Sequence, residues 1–205
     1  MKASPFRLMA AAALLASLPI AHAAAAPPTA FPAMSEEALA PKTVPKAYDV
    51  TVIVFSDYGC PYCKKLHGTL AQLLARDPKV RIVWRDWPIF GGASLLAARA
   101  AIASQWQGKH AAFNAALFAQ SGRMTEASVK AAANAAKVDW ARLEQDMQTN
   151  AKAIDTVIGR SNAGAQALKF EGTPGILIGN ARFGGAASLP QLLEAVAEAR
   201  TDKVG

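Results

Sequence analysis

The chain has two cysteines, Cys60 and Cys63, which are three positions apart. They lie between two segments whose apolar residues recur with different periods. Residues 49–55 (DVTVIVF) are β-branched and nearly all apolar, which predicts a strand covered on both faces. From Cys63 to Ala75 the leucines recur at helical spacing, which predicts an amphipathic helix. The first cysteine therefore falls where a strand ends and a helix begins, and this junction constrains the fold more than any other feature.

Two further segments extend this unit. Residues 80–84 (VRIVW) predict a second strand, and a strand–helix–strand unit of this length is right-handed and parallel. Residues 88–169 are rich in Ala and poor in β-branched runs, so they predict an all-helical insertion. Its helices are predicted over about 92–106, 108–119, 125–137, 139–149 and 151–169.

Sheet character returns near the end of the chain. Residues 175–178 and 181–184 flank a Gly-Asn turn signal and predict a hairpin. Ser188 is the predicted cap of a final helix that reaches about Arg200, with Pro190 tolerated in its first turn. The order βαβ, helices, ββα predicts an α/β sandwich with an inserted helical layer.

The N-terminal part of the chain has the pattern of an export signal. Residues 1–23 contain two basic residues, an apolar run over 8–20 and a final Ala-His-Ala, which predicts a cleavable signal peptide. An N-terminal membrane anchor is the alternative, although the apolar run is short for a spanning helix. Residues 24–47 are rich in Ala and Pro and are predicted to be flexible, with a brief helical turn over 35–40 capped by Ser35.

The charge of the chain argues against nucleic-acid binding. The formal net charge of +7 falls to +5 when residues 1–23, with their two basic and no acidic residues, are removed. Positive and negative residues are interspersed and no long run of like charges occurs, so a nucleic-acid partner is not predicted.

Export places the cysteines in an oxidising compartment, where a single pair cannot form a framework of structural disulfides. The pair is better explained by chemistry.

A CxxC pair at the start of a helix is suited to redox chemistry. Cys60 is predicted to lie near unpaired backbone N–H groups and the positive end of the helix dipole, which favour its thiolate. Cys63, one turn inside, is the predicted resolving thiol. Pro61 is tolerated in the first turn, and Tyr62 places no cation between the thiols.

Metal binding and an inert disulfide are the alternatives for this pair. Structural zinc needs about four ligands, whereas the mature chain offers only His67 and His110 besides the two cysteines. Copper(I) can be held by two thiolates and is the stronger metal alternative. We predict no metal and no cofactor other than the redox-active disulfide. His110, at a predicted helix start, is expected at the surface.

The dipeptide Thr173-Pro174 stands directly before the predicted strand 175–178. A proline at that place can simply open a strand. It can also form a cis peptide opposite the CxxC pair, which leaves the backbone of the preceding residue free to pair with a bound substrate strand.

Three segments together resemble the DsbA-like thioredoxin family: FSDYGCPYCKKLH (55–67), WRDWPIFGGASLLAARAA (84–101) and EGTPGILIGN (171–180). The resemblance covers nearly all of the mature chain. It implies a thioredoxin fold over residues 48–204, with the helical insertion at about 88–169, and a periplasmic thiol:disulfide oxidoreductase.

The family resemblance also assigns roles to single residues. It implies that Cys60 is the exposed nucleophile, Cys63 the resolving cysteine and Pro174 a cis-proline after Thr173. Substrate proteins with cysteines and a membrane redox partner are implied with them. We expect a disulfide donor that acts as a monomer in the periplasm, with a disulfide isomerase or reductase, or a copper(I)-binding dithiol protein, as the alternatives.

This sequence departs from the family pattern at two places. Many relatives carry a buried carboxylate six residues before the first cysteine, where this chain has Val54. Asp57 is the nearest acid, and we expect it to face the surface or to cap the helix start. The Pro-Tyr dipeptide between the cysteines, in place of the Pro-His of the most oxidising members, predicts a milder oxidant. Thr173 resembles the isomerase and reductase members.

Overall fold

The computed structural model describes residues 30–202, so the predicted signal peptide, residues 1–23, lies outside this range. The elements within it are α1 (Ala30–Ser35), β1 (Lys42–Thr43), β2 (Val50–Ser56), α2 (Pro61–Arg76), β3 (Val80–Asp86), α3 (Gly92–Ala103), α4 (His110–Ala119), α5 (Glu126–Ala135), α6 (Trp140–Thr149), α7 (Ala151–Ala167), β4 (Gly175–Ile178), β5 (Ala181–Gly184) and α8 (Leu189–Thr201). No helix in this part of the chain is both long and apolar enough to span a bilayer.

The strands form one mixed sheet in the order β1-β3-β2-β4-β5. β2 and β3 are buried along their whole length and run parallel, and their register places Val54 beside Trp84 and Ser56 beside Asp86. β4 runs antiparallel to β2 and forms a hairpin with β5. The predicted parallel unit, hairpin and thioredoxin fold with a helical insertion are confirmed.

Helix α2 carries the cysteines and is held against the sheet by its apolar face. Leu66, Leu70 and Leu73 are buried on this face, and burying a leucine side chain contributes roughly 2 kcal/mol. The helix contacts α8 on the same side of the sheet and α4 of the insertion. Its first turn is therefore fixed relative to both the strands and the helical layer.

The helical insertion is built around the small residues of α3. Ala97, Ala100 and Ala101 are buried, and α3 contacts α4, α5, α6 and α7. Side chains this small allow the helix axes to come close together. The predicted helix 92–106 is shorter than expected, because α3 ends at Ala103 and a 3₁₀ turn, Ser104–Gln107, follows it.

Part of the segment predicted to be flexible, residues 24–47, packs on the sheet. Residues 30–35 form α1, and Met34 and Ala40 are buried against the sheet. Glu36 receives a hydrogen bond of 2.6 Å from Arg81 of β3. Ser35 ends α1 and does not cap a following helix, and within the turn predicted over 35–40 the Ala40 N–H donates a hydrogen bond of 3.2 Å to the Glu37 carbonyl oxygen. These contacts are made to β2, β3 and α7, far along the chain, so local composition does not predict them.

Candidate active site

The two cysteines lie at the junction of β2 and α2, as the sequence predicts. Cys60 is the N-cap of α2, with extended backbone angles (φ −82°, ψ 122°), and Pro61 occupies the first turn. Cys60 is only 3% exposed, so the exposed position that the resemblance implies for it is wrong, and Cys63, within the same first turn, is buried as well. Tyr62, between them, is exposed to solvent. Both cysteines are free thiols in this structure.

The surroundings of Cys60 favour its thiolate. A hydrogen bond from the Cys63 thiol is the largest influence, and together with the Thr173 side chain and the backbone N–H groups of Tyr62 and Cys63 it lowers the pKa of Cys60 from 9.0 to about 5. Burial acts in the opposite direction but is outweighed. Backbone N–H groups at a helix start favour a thiolate for this reason. With a pKa of about 5, Cys60 is mainly a thiolate at neutral pH.

Cys63 has the opposite character. Its hydrogen bond to Cys60 and its burial raise the pKa of the Cys63 thiol well above the ordinary range. The reduced pair therefore holds one thiolate and one thiol. This division suits a pair in which one sulfur meets the substrate and the other closes the internal disulfide.

The Thr173–Pro174 segment lies opposite the cysteines, and its peptide bond is cis, as the family resemblance implies. The Cys60 Sγ lies 3.3 Å from the backbone oxygen of Thr173. The next residue is Gly175, where an added Cβ would come within 2.7 Å of the Phe170 ring. Because Gly175 has no side chain, the backbone at the start of β4 can lie directly against the Phe170 ring.

Asp57 is buried, and the expectation that it faces the surface is wrong. Only 1% of the residue is exposed. Its Oδ1 accepts a hydrogen bond of 2.7 Å from the backbone N–H of Gly59, and its Oδ2 accepts one of 3.1 Å from the backbone N–H of Phe90. The carboxylate therefore braces the turn before Cys60 and ties it to the loop after β3, and neither bond caps α2.

An exposed apolar rim lies beside this turn. Tyr62, Ile89 and Phe90 are 64%, 43% and 61% exposed. The first belongs to the CxxC motif, and the other two belong to the loop that Asp57 ties to the active-site turn. The name apolar rim is used below for these three exposed residues, one in the motif and two in the loop bound to the turn before it.

Sequence reasoning missed a group of buried polar residues beneath the turn. The Tyr58 hydroxyl donates a hydrogen bond of 2.9 Å to Oδ1 of Asn114 on α4. Asp86, at the end of β3, is buried, and burial raises the pKa of its carboxyl to about 7. Alternation along β3 places Asp86 on the same face as Trp84, which was the available signal. Val54 is apolar and buried in the cluster that contains Cys63.

The two histidines within residues 30–202 differ in burial, since His67 is half-buried and His110 is buried. The His67 ring stacks on Phe118 at a centroid distance of 4.9 Å. His110 is buried, so its predicted surface position is wrong, and burial lowers the pKa of its imidazole to about 4. Among residues 30–202 no three His, Cys, Asp or Glu side chains are grouped so that they could hold a metal ion.

Comparisons with known proteins agree with this geometry. Residues 45–198 match the family model described as Thioredoxin. A thioredoxin-like oxidoreductase from Silicibacter pomeroyi is 39% identical, with a TM-score of 0.79 over 82% of this chain and 96% of that one. The thiol-disulfide exchange protein alpha-DsbA2 from Wolbachia pipientis is 28% identical, with a TM-score of 0.76 over 82% of this chain and 91% of that one.

Two further matches extend the comparison. A periplasmic thioredoxin-like protein from Salmonella enterica is 26% identical, with a TM-score of 0.72 over 84% of this chain and 96% of that one. Part of the Na⁺/H⁺ antiporter NhaA 1 of Salinispora arenicola is 27% identical over 157 residues. That match covers 76% of this chain and 24% of the antiporter, so the chain spans about a quarter of the curated protein's length.

The family model accounts for about three quarters of the chain, and it includes the CxxC junction, the helical insertion and the cis-proline segment. The chain belongs to the thioredoxin family, and its resemblance to the DsbA-like members is confirmed.

Proposed function

We propose that this protein is a periplasmic thiol–disulfide oxidoreductase that donates the Cys60–Cys63 disulfide to exported proteins. The observation that carries the proposal is the pair itself, in which Cys60 has a pKa of about 5, the pKa of Cys63 is raised, and the Cys60 Sγ lies 3.3 Å from the Thr173 oxygen. The proposed location rests on the export signal in residues 1–23 and on relatives that include a periplasmic protein.

The exchange proceeds through a mixed disulfide. A substrate thiolate attacks the Cys60 Sγ of the oxidised protein, the Cys60–Cys63 bond breaks, and Cys63 leaves and takes up a proton. A second substrate thiolate then attacks the substrate sulfur of the mixed disulfide, and Cys60 leaves as a thiolate. The substrate has lost two electrons and gained a disulfide, and the protein holds the dithiol. A thiol of low pKa is the better leaving group in the second step.

The low pKa of Cys60 also favours the oxidising direction. Stabilisation of the thiolate favours the reduced protein over its disulfide form, so the disulfide is transferred more readily to a substrate. At pH 7 a thiol of pKa about 5 stabilises the reduced form by about 2.7 kcal/mol relative to an unperturbed thiol. For a two-electron couple this corresponds to about 60 mV toward the oxidising end. A membrane protein is the proposed partner that reoxidises the pair.

The surroundings of Cys60 favour unfolded polypeptides as substrates. The backbone of the Thr173–Pro174 segment faces the sulfur and can pair with an extended substrate strand. The apolar rim offers contact to apolar side chains next to the substrate cysteine. Such side chains are accessible in a chain that has not finished folding, and they are buried in a folded protein.

Two measurements on the mature protein test the proposal. The reduction potential of the Cys60–Cys63 pair is determined by equilibration with glutathione, and the oxidised protein is then added to a reduced, unfolded protein that regains activity only with its disulfides. A potential of roughly −150 mV or above, with refolding lost in Cys60→Ser, is the expected result. A potential of about −250 mV or lower, together with rapid reduction of disulfide substrates, would instead indicate a reductase.

A further inference from the structure

Arg182 of β5 makes a set of contacts that the exchange mechanism does not use. It is half-buried, and its Nη1 donates hydrogen bonds to the backbone oxygens of Leu168 and Lys169, the second at 3.3 Å. Its guanidinium carbon also lies 5.7 Å from the centre of the Phe170 ring, in a cation–π contact. The side chain therefore joins β5 to the end of α7 and to the residue that follows it.

Helix α7 ends in a conformation that is unfavourable for a lysine. The backbone N–H of Lys169 bonds to the Gln166 oxygen at 2.8 Å, and that of Phe170 bonds to the Ala165 oxygen at 3.0 Å, which is the Schellman arrangement. Lys169 occupies its left-handed position, with φ +54°, where glycine is the usual residue. Arg182 offsets part of this cost, because it binds two carbonyl oxygens at a helix end that leaves its last carbonyls unpaired.

Phe170 connects this helix end to the cis-proline segment. Its ring is buried and lies so close to Gly175 that an added Cβ would come within 2.7 Å of it. Gly175 follows Pro174 directly, and the Pro174 oxygen accepts a hydrogen bond of 2.7 Å from the backbone N–H of Gly185. The short segment that contains Thr173 is therefore held at two points, by the Phe170 ring and by the backbone that follows β5.

Thr173 is the residue of this segment that meets the reactive sulfur. Its backbone oxygen lies 3.3 Å from the Cys60 Sγ. After the Cys63 thiol, the Thr173 side chain is the next group whose hydrogen bond lowers the pKa of Cys60. The Thr173 hydroxyl has no hydrogen-bond partner elsewhere among residues 30–202. Because hydrogen bonds weaken steeply when they are misaligned, its contact with the sulfur depends on where the segment lies.

We propose that Arg182 is a positioning residue of the redox site, which holds the Thr173 side chain against the Cys60 sulfur through the end of α7 and the Phe170 ring. The inference rests on the proposed disulfide chemistry of the cysteine pair. Without the guanidinium, the end of α7 loses a donor and the ring behind the cis-proline segment loses the cation that covers it. The segment then has a wider range of positions, and the hydroxyl is no longer fixed on the sulfur.

A positive charge can also favour a thiolate directly, through space. That effect does not need the Thr173 hydroxyl, whereas positioning does, so a double-variant cycle separates the two. The cycle consists of wild type, Arg182→Ala, Thr173→Val and the double variant. The readout is the pH midpoint for alkylation of the reduced protein by iodoacetamide, which is the pKa of Cys60 because only the thiolate reacts.

Thr173→Val removes the hydroxyl and keeps a branched side chain of similar size. We expect it to raise the midpoint by about 1 pH unit, the low end of what a hydrogen bond to a charged group contributes. Arg182→Ala should produce most of the same rise. In the double variant the loss of Arg182 should add nothing to Thr173→Val, because the group that it positions is already absent.

A midpoint of Arg182→Ala equal to that of wild type would overturn the inference. An equal rise with and without the Thr173 hydroxyl would also overturn it, since that result indicates a direct effect of charge. Arg99→Ala is the matched control, because it removes a partly exposed arginine that pairs with Asp155 on the helical insertion. Its midpoint should match wild type, and a rise as large as that of Arg182→Ala would contradict the proposed route.

Phe170→Leu is the second variant, and it keeps the charge of Arg182 in place. It removes the ring that the guanidinium covers and that backs Gly175, so it should also raise the midpoint, and an unchanged midpoint would overturn the inference. This variant keeps the inference testable where Arg182→Ala does not fold, a state that is recognised because both cysteines then react. Alkylation of the reduced protein needs no substrate, so a failure of the proposed disulfide donation leaves the test intact.

Discussion

The hydrogen bond between the two thiols has a measurable consequence for the reactivity of Cys60. The pKa of Cys60 falls from 9.0 to about 5, and the Cys63 thiol is the largest cause. The full shift corresponds to about 5 kcal/mol of preference for the thiolate. A hydrogen bond to a charged group contributes about 1.5–3 kcal/mol, or about 1–2 pKa units. Cys63→Ala should therefore raise the pKa of Cys60 to about 6–7.

The rate of alkylation of the reduced protein by iodoacetamide reports this pKa. Only the thiolate reacts, so the rate rises with pH and its midpoint is the pKa of Cys60. The Cys63 thiol stays protonated because its own pKa is raised, so it does not contribute near neutral pH. Wild type should have its midpoint near 5, and the midpoint of Cys63→Ala should lie clearly higher.

Cys63→Ser is the matched control, because its hydroxyl can still donate a hydrogen bond to the Cys60 sulfur. Its midpoint should lie closer to wild type than that of Cys63→Ala. A midpoint near 5 in both variants would refute the reasoning. It would mean that the Thr173 side chain and the backbone N–H groups of Tyr62 and Cys63 are sufficient to stabilise the thiolate.

Three further predictions concern the surroundings of the pair. Asp86→Asn should leave the free energy of unfolding in urea unchanged near pH 4 and raise it by up to about 4 kcal/mol at pH 8. The reason is that the Asp86 carboxyl, whose pKa is raised to about 7 in the folded protein, costs stability as the pH rises from about 4 to about 7. Equal gains at both pH values would contradict this. Asp57→Ala should lose roughly 3 kcal/mol in the same assay, since the backbone N–H groups of Gly59 and Phe90 lose their charged acceptor, and Asp57→Asn should lose less. Phe90→Ser should raise the KM for unfolded substrates severalfold while the glutathione equilibrium stays unchanged, and an unaltered KM would remove Phe90 from the substrate surface.

Local patterns predicted most of the framework. The β-branched run before Cys60 became β2, the leucine spacing after it became α2, and the Gly-Asn turn became the hairpin of β4 and β5. Each of these elements depends on residues within a few positions of one another, through side-chain period, helix capping or turn geometry. The cis peptide at Thr173-Pro174 was different, since local sequence left it open and only the family resemblance favoured it.

The N-terminal segment makes contacts that local reasoning did not include. Its prolines and alanines predicted flexibility, and within it residues 30–35 form a helix and residues 42–43 a short strand on the sheet. The contacts that hold it come from Arg81 of β3, which binds Glu36, and from Arg160 of α7, which binds Glu37. The composition of a segment predicts its conformation in isolation. It does not include contacts with residues more than forty positions away, such as the one between Arg81 and Glu36.

The sequence by itself determined where the reactive cysteines would lie, because a strand signal, a CxxC pair and a helix signal follow one another directly. The tertiary structure alone decided which polar groups are buried around them. Asp57, Asp86 and His110 are polar residues in unremarkable local contexts, and all three are interior. Burial depends on how β2, β3 and the helical insertion meet, and the cost of removing a charge from water then sets the protonation of each group.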